Sequence, residues 1–572
     1  MKKLLTTLLI FCSSCSLLLA QKSNIQYTQS AIPCQSPVTN PLHETRAVWL
    51  TTIGGIDWPH SYAHTSWQIP RQQQELCDIL DRLAAANINT ILLQTRIRAT
   101  TIFPSAMEPW DGCLSGQPGS SPGYDALAYA ISECHKRGMK LHAWVVTIPV
   151  GKWNGAGCRN LRNTSPNLLK KIGDEGFMNP EAEGTADYLA RFCADLTKRY
   201  DLDGIHLDYI RYPDTWGAIK NKVQARENIT RIVRKVHHAV KSIKPWTQLS
   251  CSPVGKYADT RRQWSHGWNA RDIVCQDVAL WMQEGLMDAI YPMMYFKNEN
   301  FYPFAIDWQE RSTGKIVAPG LGIYFMHPRE KNWSLMDITR ELHALRQYGM
   351  GNCMFRSKFF TDNTKGIYDY YKLSFASLPS LQPAMTWLSN STPARPYGLQ
   401  VSQQSNGISL SWEYAADKEV TYNLYGSDSY PVDITTADNL LAASLQSKSI
   451  ELGKTGSLIY FAITATDRYG NESAPLQMNG DDDSSTSAPQ TTDLFLPCDN
   501  RIVLLPSNTV SSGTLLTISN LVGNEVTSCI ARSKASDITI NVASLTPGHY
   551  VIHSLNEKGI RHLIGRFSIP IM

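Results

Sequence analysis

The run Tyr200-Asp-Leu-Asp-Gly-Ile-His-Leu-Asp-Tyr-Ile-Arg-Tyr-Pro213 is the sharpest chemical feature of the chain. A β-strand starting at Gly204 alternates its faces with period two, so Gly204, His206 and Asp208 share one face and Ile205 and Leu207 the other. Asp208 ends that strand on the polar face. A carboxylate there has no packing use, because its desolvation has to be offset, and it reads as a nucleophile or a base. The structural alternative is an Asp that caps the following loop with Arg211. Asp203, at the start of the same strand, reads as a turn or stability residue.

Other apolar runs carry polar or aromatic groups on one parity. Gln94, Arg96 and Arg98 share a face, His142 and Trp144 share another, Tyr295 ends a third run, and Tyr209 and Arg211 follow Asp208 directly. Trp and Tyr offer flat apolar faces to a sugar ring, and Arg, with its fixed fork of donors, holds hydroxyl or carboxylate groups. Each residue also has a plain structural reading. Arg96 or Arg98 can serve as ion partner to Asp208, Trp144 as core, and His142 and His206 as hydrogen-bonded interior groups. Their convergence on one site favours binding chemistry.

Such convergence needs a scaffold that brings many strand ends together. From Glu44 to about residue 378, β-branched runs at 46–51, 90–96, 140–147, 204–209, 248–252, 289–295, 316–321 and 351–356 alternate with amphipathic stretches such as 71–86, 124–137, 185–200 and 226–243. Eight strand–helix repeats predict an α/β fold, a (β/α)8 TIM barrel over residues 43–378 whose βα loops carry the site. Residues 393–477 change to short alternating strands around Trp412, as in a fibronectin type III-like β-sandwich. An acidic, Ser- and Thr-rich linker at 478–493 leads to a small C-terminal β-domain at 494–572, an accessory module or a secretion-sorting signal.

The N-terminus has Lys2-Lys3, an apolar run from Leu4 to Ala20 and polar residues beyond, the layout of a signal peptide over 1–20. The chain is therefore expected to be exported across the inner membrane to the periplasm, the outer membrane surface or the medium. Cys15 offers a degenerate lipidation site, and with it a possible lipid anchor in place of plain cleavage after Ala20. No later run is long and apolar enough for a transmembrane span. With 54 Lys and Arg against 50 Asp and Glu, no basic field suits nucleic acid. Of thirteen cysteines, Cys12 and Cys15 fall in the signal stretch and the other eleven contain no CxxC pair, which argues against a zinc site; Cys498 and Cys529 could pair.

The barrel stretch resembles the glycosyl-hydrolase-like family ten of bacterial envelopes. The resemblance rests on Glu44-Thr-Arg-Ala-Val-Trp-Leu50, His142-Ala-Trp144, Asn179-Pro180, Asp203-Gly-Ile-His-Leu-Asp-Tyr-Ile-Arg-Tyr-Pro213, Ser250-Cys-Ser-Pro253 and Asp288-Ala-Ile-Tyr-Pro-Met-Met-Tyr295. It implies a barrel hydrolase of glycosidic bonds, often periplasmic or a lipoprotein, with peptide-free peptidoglycan glycan as the substrate of at least one relative.

Hydrolysis of that kind needs two carboxyl groups and no cofactor. Asp208 is the expected nucleophile or base. Its counterpart is expected from the loop after the sixth strand, Phe296–Tyr302, with Asp307 beyond it, as Glu299 or Asp307. Two alternatives stand beside this reading. One is a non-catalytic glycan-binding protein on a degenerate barrel. The other is a metal-dependent hydrolase, for which the sequence offers no ligand set, since His237 and His238 are adjacent on a helix and diverge.

Overall fold

The computed structural model describes residues 40–569 except 261–262, 264–266, 405–406, 416–418, 454–459, 478–495, 497, 500, 506–513, 521–524, 532–537 and 556–560. The expected signal peptide, the Cys15 lipidation site and the 478–493 linker lie outside the described residues.

Eight parallel strands form a closed ring: β1 (Arg46–Leu50), β2 (Thr90–Arg96), β3 (Lys140–Val146), β4 (Gly204–Asp208), β5 (Gln248–Ser252), β6 (Ala289–Ile290, resumed at Met293–Met294), β7 (Ile316–Val317, resumed at Gly320–Leu321) and β8 (Asn352–Met354). The ring closes where Arg46 pairs with Asn352 and Val48 with Met354. The runs expected as single strands at 289–295 and 316–321 are each interrupted, at Pro292 and Pro319 respectively, because proline has no N–H for the ladder. Helices α1 (Ile69–Ala85), α2 (Ala126–Lys136), α3 (Glu183–Arg199), α4 (Lys222–Lys241), α5 (Val278–Gln283), α6 (Tyr302–Glu310) and α7 (Leu335–Gln347) form the outer layer. Their apolar stripes face the sheet: Leu76, Leu80 and Leu83 of α1 recur at helical spacing and are buried. A small antiparallel sheet, Pro149–Lys152, Glu175–Met178 and Leu169–Ile172, is inserted after β3 and was not foreshadowed by the strand pattern.

Side chains fill the barrel. Trp49, Trp144 and Tyr291 pack among Ala47, Ala289 and Ala318, large against small. The Trp49 indole N–H donates to His206 Nε2 at 3.3 Å, which leaves Nδ1 to donate to Ser250 Oγ at 3.0 Å. Burial drives the His206 pKa well below its ordinary value, so the ring is neutral. His142 lies one layer lower, with both ring nitrogens buried and unpartnered and its pKa pushed down to about 4 by burial. Its ring occupies the space of a side chain on β4, and a Cβ on Gly204 would stand 2.7 Å from it. Glycine is thus required at that position by close approach.

Beneath the barrel, the opening stretch ties the chain's start to its end. Glu44 accepts from Arg46 Nε at 2.6 Å and from Arg346 Nε and Nη2 at 2.8 and 2.7 Å, all three side chains being buried.

Residues 397–477 build facing antiparallel sheets of three and four strands around Leu410, Trp412, Leu424 and Ile463. Trp412, 1% exposed, is core. The last segment repeats that arrangement, with three and four strands around Leu516, Ile552 and Phe567. No disulfide joins Cys498 and Cys529, the pair considered from sequence. The first of these sheet pairs grips the barrel's N-terminal face. Arg468 pairs with Asp201, the Met385 N–H donates to the Tyr469 carbonyl at 2.8 Å, and the Trp387 indole N–H donates to Asp288 at 3.0 Å.

A buried carboxyl group on the outer layer also goes without hydrogen-bond partners. Glu341 on α7 is 1% exposed with neither carboxyl oxygen hydrogen-bonded. Burial, reinforced by Asp337 and opposed by Lys297, holds its pKa well above the ordinary glutamate value. A raised folded-state pKa means that stability is lost as pH climbs from the unfolded value, about 4.3, toward the folded one. Glu341→Leu is expected to raise the unfolding free energy at pH 7 by about 1–3 kcal/mol and to flatten its fall between pH 4.5 and 8, measured by urea denaturation.

Candidate active site

The strand register decides what surrounds Asp208. Val146 on β3 and Ser252 on β5 flank it directly, and Trp144 sits two residues before Val146 on the same face. The Ser252 hydroxyl donates to Asp208 Oδ1 at 2.7 Å, and the Trp144 indole N–H donates to Oδ2 at 3.0 Å. The chain then turns through Tyr209, whose φ of +51° is in the left-handed region, and the Tyr209 N–H donates to Oδ1 at 2.8 Å. Oδ1 therefore has two fixed donors. Oδ2 has one, and retains a lone pair for a proton or for an electrophilic carbon.

Asp208 is 5% exposed. Burial raises its pKa above the usual aspartate range despite the opposing bonds from Ser252, Trp144 and Tyr209 N–H and the charge of Arg211. A carboxylate set at a barrel mouth in this way can exchange a proton or attack covalently.

An aromatic wall runs from the barrel axis across the mouth. Phe355, just beyond β8, meets Trp49 edge-on at 5.8 Å and stacks on Tyr295 at 5.2 Å; Tyr295 meets Tyr324 at 5.8 Å. Burial lifts the Tyr295 phenol well above its ordinary pKa, and Asp208 adds to the effect. Tyr295 therefore keeps its proton and remains a donor beside the carboxylate.

The remaining expected residues are dispersed. Arg98 is exposed on the loop after β2, and Tyr209 and Arg211 line the loop after β4. Arg211 Cζ lies 4.5 Å from the Tyr209 ring centre and 5.1 Å from that of Trp268. His142 and His206 belong to the barrel interior rather than the mouth.

Arg96 does not face the mouth. A bulge between Gln94 and Arg96 inserts an extra residue and breaks the parity that would align it with Gln94. Its guanidinium is buried on Glu108, with Nε 2.9 and 2.8 Å from the two oxygens and Nη2 2.7 Å from Oε1. Arg96 Nη1 also donates to the Thr147 carbonyl at 2.9 Å, and the Thr147 N–H and hydroxyl donate to the Asp208 carbonyl at 2.9 and 2.8 Å. Arg96 thus braces the backbone that holds Asp208.

Glu299 is exposed in the turn Asn298–Asn300 after β6. Asp307, beyond that turn on α6, is buried and accepts from Arg311 Nε at 2.9 Å one helical turn later. Sequence reasoning missed Ser252 as a site residue. Its signal was available, since Gln248, Ser250 and Ser252 put a polar group at every second position of β5. Phe355, inside the run 351–356 expected as a strand, and Tyr324, in the short helix Ile323–Met326, gave no comparable signal. Among the described residues no group of three or more His, Cys, Asp or Glu is arranged to hold a metal ion.

Removing a donor to the charged form should raise the pKa of Asp208 further. Ser252→Ala is expected to shift its titration upward by roughly one pH unit, followed by ¹³C NMR of labelled aspartate carboxyls. An unchanged or lower midpoint would contradict the assigned bond.

The barrel region has relatives among known proteins. Residues 44–225 and 220–325, which include β1 to β7, match the model of the family described as Glycosyl hydrolase-like 10. The chain is similar to Glycosyl hydrolase YngK of Bacillus subtilis (strain 168), 25% identical over 501 residues that cover 79% of this chain and 98% of that protein. It is also similar to Glycosyl hydrolase DigH of Escherichia coli (strain K12), 30% identical over 291 residues that cover 44% of this chain and 65% of that protein. Through the region that folds into the barrel, this chain belongs to the glycosyl hydrolase-like 10 family.

Proposed function

We propose that the protein is an exported glycoside hydrolase that cleaves O-glycosidic bonds of peptidoglycan glycan strands freed of their peptides. The observation that carries the hydrolase reading is the Asp208 carboxylate, buried at the mouth with its Oδ2 lone pair open and an aromatic wall beside it. The substrate is carried by the family resemblance and is consistent with stacking surfaces for sugar faces at Tyr209, Tyr295 and Trp268. Export rests on Lys2-Lys3 and the apolar run that follows. The facing sheets within 393–477 support a fibronectin type III-like spacer.

In this mechanism Asp208 Oδ2 acts on the anomeric centre, as nucleophile or as base for water, while Ser252 and the Tyr209 N–H hold Oδ1 still. Glu299, exposed in the turn after β6, serves as the proton donor to the leaving oxygen. Tyr295 O–H steadies the sugar or the carboxylate as charge redistributes.

A second reading is kept because, of the three carboxyl groups singled out, only Asp208 is buried in the mouth. It is a glycan-binding barrel that does not cleave. The deciding experiment incubates purified mature protein with peptide-free peptidoglycan glycan and a panel of plant and host polysaccharides, reading reducing ends by mass spectrometry. Release from the peptide-free glycan is expected, lowered roughly a thousandfold in Asp208→Asn at an unchanged Tm. Binding without release from any polymer would establish the second reading.

A further inference from the structure

The loop after β4 carries a feature that the cleavage chemistry does not use. Arg211 is 2% exposed, and its Nε is buried with no hydrogen-bond partner. Its Nη1 donates to Asp214, largely in solvent, at 2.7 Å and reaches the Tyr212 carbonyl at 3.4 Å, so both acceptors sit at that corner of the guanidinium. A buried donor left without a protein partner costs free energy, so one at a barrel mouth invites a ligand to complete it. The residue stands three positions after Asp208, between Tyr209, 38% exposed, and Trp268, 44% exposed. Trp268 is brought there because the loops after β4 and β5 run together, the Tyr212 N–H donating to the Val274 carbonyl at 3.0 Å and Gln276 Nε2 to the Ile210 carbonyl at 3.3 Å. The result is a guanidinium edge framed by two half-open aromatic rings, next to the reactive carboxylate.

Such a fork matches a carboxylate, which takes two parallel N–H bonds from the Nε side while Asp214 keeps Nη1. In peptidoglycan the muramyl sugar carries a lactyl group whose carboxyl is amide-bonded to the stem peptide; once the peptide is removed, that carboxyl is an anion. We propose that Arg211, framed by Tyr209 and Trp268, is the subsite that reads the free lactyl carboxylate of a peptide-stripped muramyl sugar. This rests on the substrate reading above and supplies its selectivity. The amide-linked form brings neither the charge nor the second acceptor oxygen, and its peptide meets the Trp268 ring. Trp268 closes over the guanidinium, so entry of the carboxylate turns that ring aside.

The test compares two glycans of equal length: peptide-free glycan, and the same material with its lactyl carboxyls converted to primary amides by carbodiimide and ammonia. Wild-type kcat/KM is expected to be about tenfold or more lower on the amidated glycan. Arg211→Gln is expected to lose a similar factor on the free-carboxyl glycan and to treat both alike. Equal wild-type rates on the two glycans overturn the carboxylate subsite and leave the hydrolase reading intact; release from neither overturns both. Because loss of a buried cation can disturb the fold, a second measurement stays with the wild-type protein. N-acetylmuramic acid, which carries the lactyl group, should inhibit about tenfold or more better than N-acetylglucosamine, which lacks it. Equal inhibition overturns the proposal.

Discussion

A carboxylate removed from water must find its donors within the protein, and at Asp208 they come from three separate pieces of chain. Trp144 arrives on β3, Ser252 on β5, and the Tyr209 N–H through a left-handed turn of the backbone itself. None of these contacts survives a shift of one residue in register, since such a slip would turn every side chain of the strand to the opposite layer. Much of the surrounding structure fixes that register. Arg96, locked on Glu108, holds the Thr147 carbonyl, and Thr147 in turn binds the Asp208 carbonyl. Within the barrel, Trp49, His206 and Ser250 form a continuous hydrogen-bonded layer directly below the carboxylate.

The alternation of polar and apolar residues made much of this legible before any coordinates. The parity of β4 placed His206 and Asp208 on the inner face, and that of β3 did the same for Trp144. Eight strand–helix repeats gave the barrel. Parity failed where the backbone departed from regular geometry. The bulge after Gln94 turned Arg96 into the wall, and Pro292 and Pro319 cut two expected strands into pieces. Asp307, beyond the loop after β6, falls on a helix that begins at Tyr302 with Pro303 in its first turn. Ser252 was overlooked because a hydroxyl in a strand has no distinctive composition, only its position opposite a carboxylate. Contacts between distant loops, such as Arg211 with Trp268, leave no trace in local spacing.

The two ends of the barrel are treated differently. At the mouth, loops carry exposed rings and a carboxylate with spare capacity. At the other end, Asp201, Asp203 and Asp288 are each engaged, by Arg468, His135 and Lys241 with Trp387 respectively. Burial works against a charged His135, yet its hydrogen bond to Asp203 keeps its pKa raised. The sandwich module seated there covers polar strand starts that would otherwise need water.

The ring-closing contact also governs how the polypeptide comes into being. Glu44 finds Arg346 across 302 positions of sequence, and β1 pairs with β8 at the same seam. A nascent chain emerging N-terminus first holds its opening strand with one edge vacant until almost the whole barrel has been made. Closure over so long a separation is slow, and unpaired parallel edges are adhesive in the meantime. Folding factors that shield strand edges during that wait, more than any single core residue, would govern how much active protein a cell obtains.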